Sequence, residues 1–361
     1  MSNPADQKLT DILNYGALNL ALSIGYQTRL FDVMDGLEGP ATLETIAEEA
    51  QLDARYLTEW LGIMVCGEIV ELSQTEDGRE LFFLPPAYAD RLTRRSGSAN
   101  LGVYTQEIPL LTTCSWDALL KRFHSGDGIS YDHYPRFQAF MAQLADAKHQ
   151  QVLVDQFLPA VDNGAILDQM RNGIQVCDLG CAEGLVILLL AAAFPRSRFT
   201  GMDLDGEVIR KARNRARIQK LDNAEFFRTD AATLAENDAF AGKFDYITAF
   251  DAIHDQTRPD LALKGVLAML RPGGCFSMVD IAASSRLADN QNHPLGAFMY
   301  TVSLLHCLPV GRVDQGMGLG MMWGREKAVQ MLKEAGFSDV DVLEIPNDPF
   351  NDHFFCRKSP R

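Results

Sequence analysis

The stretch Ile174–Gly184, IQVCDLGCAEG, constrains the fold more than any other part of the chain. A short apolar run stops at an acidic residue, turns through two glycines and leads into the almost wholly apolar segment Leu185–Phe194. This order predicts a buried strand, a tight turn and a helix. Glycine lets the backbone approach a ligand closely, and the first turn of a helix offers free N–H groups. The stretch therefore predicts a small-ligand site at the end of a strand.

From Gly173 onward, short apolar runs alternate with helical patterns, which predicts a parallel sheet with helices on both faces. The predicted strands are Gln175–Leu179, Arg198–Met202, Glu225–Arg228, Tyr246–Phe250, Cys275–Val279, Asp339–Ile345 and His353–Arg357. After the fifth strand comes an insertion, Ala282–Met322, with an apolar helix predicted over Leu295–Leu308. The last two strands follow the final helix without another helix between them, and this predicts a terminal hairpin.

Residues 1–95 have a different pattern. Apolar residues at helical spacing in Asp6–Leu30 predict a core-facing helix pair. A further helix over Ala54–Val65 and two short strands, Glu68–Leu72 and Leu81–Leu84, complete the order of a winged helix. We expect this domain to be followed by a helical connector and lid over residues 96–162 and by the ligand-binding domain over residues 163–361.

The charge of the chain argues against nucleic acid and anionic membrane as partners. The formal net charge is −15, and residues 1–95 hold seven Lys or Arg against sixteen Asp or Glu. A surface that binds phosphates must be basic. We therefore interpret the winged helix as a dimerisation and lid domain.

Acidic residues stand at the ends of four predicted strands, at Asp178, Asp203, Asp230 and the run Asp251–Asp255. Open α/β sheets bind their ligands at these carboxyl ends. The glycine spacing is G-x-x-x-G, whereas a dinucleotide site favours G-x-G-x-x-G to hold a pyrophosphate. The acids therefore indicate a ligand with hydroxyls and other hydrogen-bond donors and with little negative charge.

With these features, Gly173–Lys358 resembles the class I S-adenosylmethionine-dependent methyltransferases, and Arg271-Pro-Gly-Gly274 resembles a further motif of that family. The whole chain is similar to a bacterial winged-helix group within it, through echoes such as Phe250-Asp-Ala-Ile-His-Asp-Gln256 and Met322-Trp-Gly324. The resemblance implies an α/β fold in which a Rossmann-like seven-stranded sheet follows an α-rich winged-helix domain. It also implies S-adenosyl-L-methionine as the cofactor. Because a winged-helix start of this kind often pairs in similar enzymes, the resemblance also implies a homodimer.

The resemblance also implies roles for individual residues. Gly180 and Gly184 would let the backbone approach the methionyl part of the cofactor, and Asp203 would accept both ribose hydroxyls. The full set of implied cofactor-binding residues is Asp178, Gly180, Gly184, Asp203, Asp230, Ala231 and Phe250. Ala182 stands where the family usually has glycine. Because alanine disfavours a positive φ, we expect the turn to differ slightly there.

Methyl transfer from a sulfonium requires the acceptor and the methyl group to be held in line, and a base only if the acceptor must lose a proton. His254, just past the fourth strand, is the candidate base, with a capping or structural role as the alternative. Candidate acceptor-site residues, each of which could instead be a packing residue, are Tyr131, Tyr134, Phe137, Tyr300, His306 and Trp323. No His/Cys/Asp group has metal-site spacing, so no metal is expected.

The sequence leaves three classes of function open. They are a methyltransferase for a small, partly apolar metabolite with an oxygen, nitrogen or sulfur acceptor, a nicotinamide-dependent oxidoreductase, and a non-catalytic cofactor-sensing regulator. The seven cysteines are scattered and form no C-x-x-C pair, and residues Met1–Leu9 lack an apolar signal core. We therefore expect reduced cysteines and a cytoplasmic protein.

Overall fold

A computed structural model describes residues 3–137, 140–141, 144, 152–346 and 348–360. The chain forms two compact units, Met1–Leu110 and Leu111–Arg361. The predicted connector, residues 96–162, lies on both sides of that boundary, and residues 138–139, 142–143 and 145–151 of it lie outside the described residues. The three domain bounds drawn from the sequence therefore remain predictions.

The first unit contains five helices and a two-stranded hairpin. They are α1 (Pro4–Gln27), α2 (Leu30–Gly36), α3 (Leu43–Ala50), α4 (Ala54–Cys66), β1 (Glu71–Gln74), β2 (Glu80–Phe83) and α5 (Pro86–Leu92). Asp53 caps α4 by accepting hydrogen bonds from the backbone N–H groups of Arg55 and Tyr56. The first wing strand begins three residues later than predicted, because Glu68 has a φ of +59° and cannot continue an extended strand.

Helix α1 differs from the sequence prediction, and the expected core-facing helix pair over Asp6–Leu30 is wrong. It is one continuous helix of 24 residues, and most of its large apolar side chains are exposed. The exposed residues are Leu9, Ile12, Leu13, Tyr15, Leu20 and Ile24. Only the face around Ala21 and Gly25 packs inward, where the indole N–H of Trp60 donates to the Ala21 carbonyl at 2.8 Å. Amphipathic spacing thus predicted the helix correctly but not its burial.

The second unit is built on a seven-stranded sheet in the order β5-β4-β3-β6-β7-β9-β8. The strands are β3 (Gln175–Leu179), β4 (Arg198–Asp203), β5 (Ala224–Arg228), β6 (Phe244–Phe250), β7 (Leu270–Ile281), β8 (Asp339–Ile345) and β9 (Asp348–Arg357). Strands β3 to β7 pair in parallel, and β9 runs antiparallel to both β7 and β8. The predicted fold class and the terminal hairpin are confirmed.

Helices of the second unit cover both faces of the sheet, each over its own apolar core. The longer ones are α6 (Glu107–Ser125, which begins in the first unit), α7 (Ala165–Asn172), α8 (Leu185–Ala193), α9 (Gly206–Gln219), α10 (Pro259–Met269), α11 (Gly296–Val302) and α12 (Arg325–Ala335). Helix α11 passes directly into a π-helical segment, Ser303–Cys307, and a short helix, Leu308–Gly311. Within the described residues, no helix is long and apolar enough to cross a membrane.

Candidate active site

The turn after β3 is shaped by two glycines in the left-handed region. Gly180 has a φ of +74° and Gly184 a φ of +80°. A Cβ on Gly180 would lie 2.5 Å from the Cβ of Ala252, and one on Gly184 would lie 2.4 Å from the ring of Phe226. Both positions therefore require glycine for conformation and for space, and the turn lies tightly against its neighbours.

Ala182 shows how this turn tolerates its one unusual residue. Its φ is +46°, so alanine takes up the left-handed conformation that glycine would adopt freely. This conformation costs about 1–2 kcal/mol for a residue with a Cβ. The Ala182 N–H donates to Asp203 Oδ2 at 2.9 Å, and this bond helps to hold the strained turn in place.

Asp203, at the end of β4, is fixed by two backbone donors. Its Oδ2 accepts from Ala182, and its Oδ1 accepts from the Asp205 N–H at 2.9 Å. An ionised carboxylate offers about four lone-pair sites, so each oxygen keeps capacity for one more donor. Burial raises the pKa of Asp203, whereas the backbone N–H bonds lower it. The residue fits a vicinal diol, such as that of a ribose.

Asp178 lies beneath the same turn and is buried. Its Oδ1 accepts from the Thr248 hydroxyl at 2.7 Å, and burial raises its pKa to about 7. Glu183, the other acid of the turn, is paired with Lys211 at 2.8 Å. The negative charge of the turn is therefore weaker than the sequence suggested.

The remaining predicted cofactor residues lie on the same edge of the sheet, because parallel strands align their carboxyl ends. Asp230 follows β5, is exposed, and its Oδ1 accepts from the Ala232 N–H at 2.9 Å. Ala231 is buried beside it. The ring of Phe250, the last residue of β6, packs edge-on against Phe157 with 5.5 Å between centroids. The predicted set thus lies along one edge of the sheet, and its role in binding a cofactor remains a prediction.

His254 and Asp280 form a buried pair next to this edge. The distance from His254 Nδ1 to Asp280 Oδ1 is 2.8 Å, and both residues are buried. Asp280 Oδ1 also accepts from the indole N–H of Trp323 at 3.1 Å and from the backbone N–H of Ile281 at 2.9 Å. Because the carboxylate can only accept when ionised, Nδ1 of His254 is the donor.

The charge state of His254 is set by competing effects. Burial alone would lower its pKa, but the carboxylates of Asp280 and Asp255 raise it well above its ordinary value. The second ring nitrogen, Nε2, lies 3.4 Å from Asp255 Oδ1. The Cys307 thiol hydrogen-bonds His254, and burial raises the pKa of this thiol to about 12. His254 therefore lies within a compact polar cluster.

His306 lies on the other side of Asp255, with 3.8 Å between its Nδ1 and Asp255 Oδ2. Burial lowers the pKa of His306, which favours the neutral imidazole. Three predicted acceptor-site aromatics surround it, with ring centroids at 5.3 Å for Tyr131, 4.8 Å for Tyr134 and 4.6 Å for Phe137. These four residues form what we call the His306 cage.

The cage is attached to the insertion that follows β7. The Tyr134 hydroxyl donates to the Leu305 carbonyl at 2.9 Å, and the Ile129 N–H donates to the Pro309 carbonyl at 3.0 Å. Tyr131 is 43% exposed overall, but desolvation of its hydroxyl, followed by the charges of Asp255 and Asp203, raises its pKa well above the usual value. The segment from Ile129 to Phe137 and the insertion thus pack together beside the polar cluster.

The other two predicted acceptor-site residues lie outside the His306 cage. Trp323 contacts Asp280, so it supports the partner of His254. The Tyr300 hydroxyl instead accepts from the side-chain amide of Asn290 at 3.0 Å, and its ring packs beside Met299 and Met322. The structure therefore brings five of the six residues to the His254 cluster.

Sequence reasoning missed Asp280 and Cys307. Asp280 follows the apolar run of the fifth parallel strand, so the rule that picked out the other acidic strand ends would have found it. Cys307 is one of seven scattered cysteines for which the sequence predicts no specific role. It reaches the cluster through the π-helical segment Ser303–Cys307, a type of segment that is frequent at functional sites and has no clear sequence signature.

The sequence predicts no metal-binding cluster, but the structure brings together three side chains that each carry a possible ligand atom. The ligand atoms of His254, Asp255 and Cys307 all lie within 4.8 Å of one another. The large separation between positions 255 and 307 in the chain concealed this group.

Two family models match the chain. Residues 170–346 match a methyltransferase domain, and residues 16–94 match an Rv2258c-like winged helix-turn-helix domain. The two matches correspond to the sheet domain with its predicted ligand edge and to the N-terminal unit with its hairpin.

Curated relatives match the chain over part of their length. A fatty-acid O-methyltransferase of Mycolicibacterium smegmatis is 34% identical over 109 residues, which are 30% of this chain and 38% of that protein. A ubiquinone biosynthesis O-methyltransferase of Coxiella burnetii is 26% identical over 187 residues, covering 51% of this chain and 71% of that protein. The chain thus spans less than two thirds of the first of these relatives.

Solved structures match over nearly the whole chain. Human N-acetylserotonin methyltransferase, solved with S-adenosylmethionine, has a TM-score of 0.69 at 17% identity and covers 99% of both chains. Mitomycin 7-O-methyltransferase has a TM-score of 0.68 at 17% identity and covers 98% of both chains. At this identity the likeness establishes the shared fold.

Proposed function

The chain belongs to the S-adenosylmethionine-dependent methyltransferases, and we propose that it methylates a hydroxyl group of a small, partly apolar metabolite with His254 as the general base. The observation that carries this proposal is the 2.8 Å contact between His254 Nδ1 and the buried carboxylate of Asp280. Holding Nδ1–H in this way fixes the tautomer and orientation of the ring and leaves Nε2 to take the acceptor's proton.

The cofactor, when bound, supplies an electrophilic methyl group on a positively charged sulfur. We propose that Gly180 and Gly184 admit its methionyl part, and that Asp203 accepts its ribose hydroxyls with the one remaining lone pair on each oxygen. In the same proposal Asp230 and Ala231 hold the adenine, and the Phe250 carbonyl accepts from the ammonium group. The pKa of Asp178 is about 7, so the ionised fraction of this carboxyl favours a cationic ligand. In-line alignment of acceptor and methyl is the main catalytic contribution of the protein.

The choice of oxygen as the acceptor atom rests on the base. An amine or a thiolate can attack without a dedicated base, whereas a hydroxyl must lose its proton as the new bond forms. The named relatives, a fatty-acid and a ubiquinone biosynthesis O-methyltransferase, methylate oxygen according to their names, which supports the same choice. The neutral, aromatic His306 cage favours a planar, partly apolar acceptor.

The two alternative functions receive less support. A nicotinamide-dependent oxidoreductase would need a pyrophosphate cradle, and the family to which the chain belongs uses a different cofactor. A non-catalytic regulator would need a surface for nucleic acid, and the N-terminal unit is acidic. Turnover with any acceptor would separate an enzyme from a sensor.

A screen with isotopically labelled cofactor tests the proposal. The purified protein is incubated with matched panels of hydroxylated aromatics, aromatic amines and thiols, and the methylated product is identified by mass spectrometry. We expect label on oxygen in at least one compound and none after His254→Ala. Label confined to nitrogen or sulfur, or turnover unchanged in His254→Ala, would contradict the acceptor or the base respectively.

We further propose that the protein is a homodimer that buries the exposed apolar side of α1. Leu13 is 75% exposed and Ile24 53% exposed, and an apolar stripe of this length favours a protein partner. Light scattering would show a dimer for the wild type and a monomer for the double variant Leu13→Glu/Ile24→Glu. The matched control is Ile218→Glu on α9, which is 70% exposed and lies outside α1.

The seven cysteines support a reducing compartment. All seven are free thiols, and five of them are buried. Proteins of reducing compartments keep their cysteines in this form. We therefore propose a cytoplasmic location, which fractionation of the native host with an antibody against this chain would test.

A further inference from the structure

The polar cluster around His254 has the composition of a metal site. It is separate from the proposed cofactor-binding residues Gly180, Gly184, Asp203 and Asp230, which we call the cofactor edge. His254, Asp255 and Cys307 each offer one ligand atom, and these atoms all lie within 4.8 Å of one another. In a tetrahedral zinc site the ligand atoms lie about 2.0–2.3 Å from the ion. Only small side-chain movements would bring the three atoms to these distances. One imidazole, one thiol and one carboxylate would leave a fourth position open.

The surroundings of His254 match those of a metal ligand. Histidines that bind metals almost always donate their other ring N–H to a carboxylate or a carbonyl. His254 does this through Nδ1, which lies 2.8 Å from Asp280 Oδ1. Asp280 is itself held by Trp323 and the backbone N–H of Ile281. With Nδ1 engaged in this way, Nε2 of His254 lies 3.4 Å from Asp255 Oδ1, and the Cys307 thiol hydrogen-bonds the His254 side chain.

Orphaned polar atoms provide a second and independent observation. Asp255 Oδ1 and His306 Nε2 are buried and have no hydrogen-bond partner among the described residues. His306 is only 3% exposed, and its other nitrogen lies 3.8 Å from Asp255 Oδ2. Buried polar atoms without partners are rare in folded proteins, and a bound ion is one of the partners that such an atom can have. A cation coordinated by Asp255 Oδ1 would supply that partner for Asp255. His306 Nε2 lies on the other side of its ring from Asp255 and is not part of the proposed ligand set.

We propose that His254, Asp255 and Cys307 bind a thiophilic divalent cation of the Zn²⁺ type, and that the bound ion inhibits methyl transfer. The thiolate and imidazole donors select such an ion over Mg²⁺ or Ca²⁺, which prefer oxygen ligands. Binding replaces the thiol proton of Cys307 and any proton on His254 Nε2, and both protons leave to solvent. Water fills the open fourth position.

Inhibition follows because the ion occupies the lone pair of Nε2 that accepts the acceptor's proton. This consequence rests on the proposed role of His254 as the base. The binding of the ion does not rest on it, since it depends only on the three donors and their surroundings.

Cobalt spectroscopy tests the binding directly. Metal-free protein, prepared by chelation and dialysis, is titrated with Co²⁺. We expect one equivalent to produce a thiolate-to-cobalt charge-transfer band in the near ultraviolet and intense visible bands of four-coordinate geometry, both lost on addition of Zn²⁺. Cys307→Ser should abolish the charge-transfer band. Cys66→Ser, which changes an exposed cysteine of the first unit, should retain it.

Competition with a chromophoric chelator measures the affinity of the protein for Zn²⁺. The outer-partner variant Asp280→Asn should bind Zn²⁺ about 10- to 100-fold more weakly than the wild type. Cys307→Ser should weaken the binding of Zn²⁺ by a larger factor. Circular dichroism and thermal melting establish that each variant is folded, and Cys307→Ala serves if the serine variant is not.

The outcomes separate the site from the function. A wild-type protein that gives no charge-transfer band, or Cys307 variants that bind Zn²⁺ as the wild type does, would overturn the site. A charge-transfer band together with methyl transfer that Zn²⁺ leaves unchanged would preserve the site and overturn the role of His254 as the base. Stoichiometric inhibition that is reversed by a chelator supports both.

Discussion

The proposed cofactor edge and the proposed acceptor cluster around His254 lie side by side at the sheet but are built in different ways. At the cofactor edge, Asp203 and Asp230 follow successive strands and are held by backbone N–H groups. In the acceptor cluster, side chains from five separate segments hold one another. These segments are Tyr131–Phe137, His254–Asp255, Asp280, His306–Cys307 and Trp323.

The difference shows how one fold can keep a cofactor and change its acceptor. A site made from backbone and strand ends depends on sheet register, which a single side chain seldom alters. A site made from side chains of distant segments changes with each of them. Substitutions at the two sites should therefore separate cofactor affinity from turnover.

The largest separation is expected for His254→Ala. Removing the base should lower turnover by about 10²- to 10⁴-fold, the usual contribution of general base catalysis. Affinity for S-adenosylmethionine, measured by calorimetry, should be unchanged, because the cofactor edge does not depend on this side chain. A variant with wild-type turnover, or with weakened cofactor binding, would show that His254 does not have the role of a base.

Asp203→Asn is the reciprocal substitution. Replacing a charged acceptor should weaken cofactor binding by about 1.5–3 kcal/mol, the range for hydrogen bonds to charged groups. Turnover at saturating cofactor should change much less. Glu225→Gln, an exposed carboxylate on β5 with the same change in charge, is the matched control and should bind cofactor normally. Equal affinities in the two variants would remove Asp203 from the cofactor site.

The pH dependence of turnover should report the titration of His254 in the acceptor cluster. The carboxylates of Asp280 and Asp255 raise the pKa of His254, so its base form appears only as the pH rises through this higher value. Turnover should therefore increase with pH. Asp280→Asn removes one of the charges and should move the midpoint to lower pH.

The same shift affects stability with the opposite sign. A raised folded-state pKa stabilises the protein at pH values below the unfolded pKa, and this contribution is lost as the pH rises through the folded value. Thermal melting of the wild type and of Asp280→Asn across the pH range checks this. A midpoint of turnover that Asp280→Asn leaves in place would assign the titration to another group.

The smallest effect is expected at the turn of the cofactor edge. Ala182→Gly should stabilise the protein by about 1 kcal/mol, because glycine adopts a positive φ without the cost that a Cβ brings. Gly184→Ala, two residues away, should destabilise it, because its Cβ would lie 2.4 Å from the Phe226 ring. Chemical denaturation measures both. A less stable Ala182→Gly would mean that the alanine side chain makes a compensating contact.

Several of the sequence predictions rested on local rules that the structure obeys. Strand β3 and the hairpin of β8 and β9 follow from apolar runs and turn signals, and Asp53 caps α4 as its position predicts. The exposed face of α1 and the positive φ of Ala182 did not follow. In both cases the local pattern is compatible with two outcomes, and contacts elsewhere in the chain select one.

The sequence by itself determined the strands of the sheet, their alternation with helices and the acidic residues at the strand ends. These features follow from the spacing of apolar residues, from turn residues and from strand direction, which all act over a few residues. Only the tertiary structure brought Cys307 and Asp280 to His254. Cys307 arrives through a π-helical segment more than fifty positions away in the chain, and Asp280 through the pairing of β6 with β7. Contacts of that range depend on packing, which no local pattern encodes.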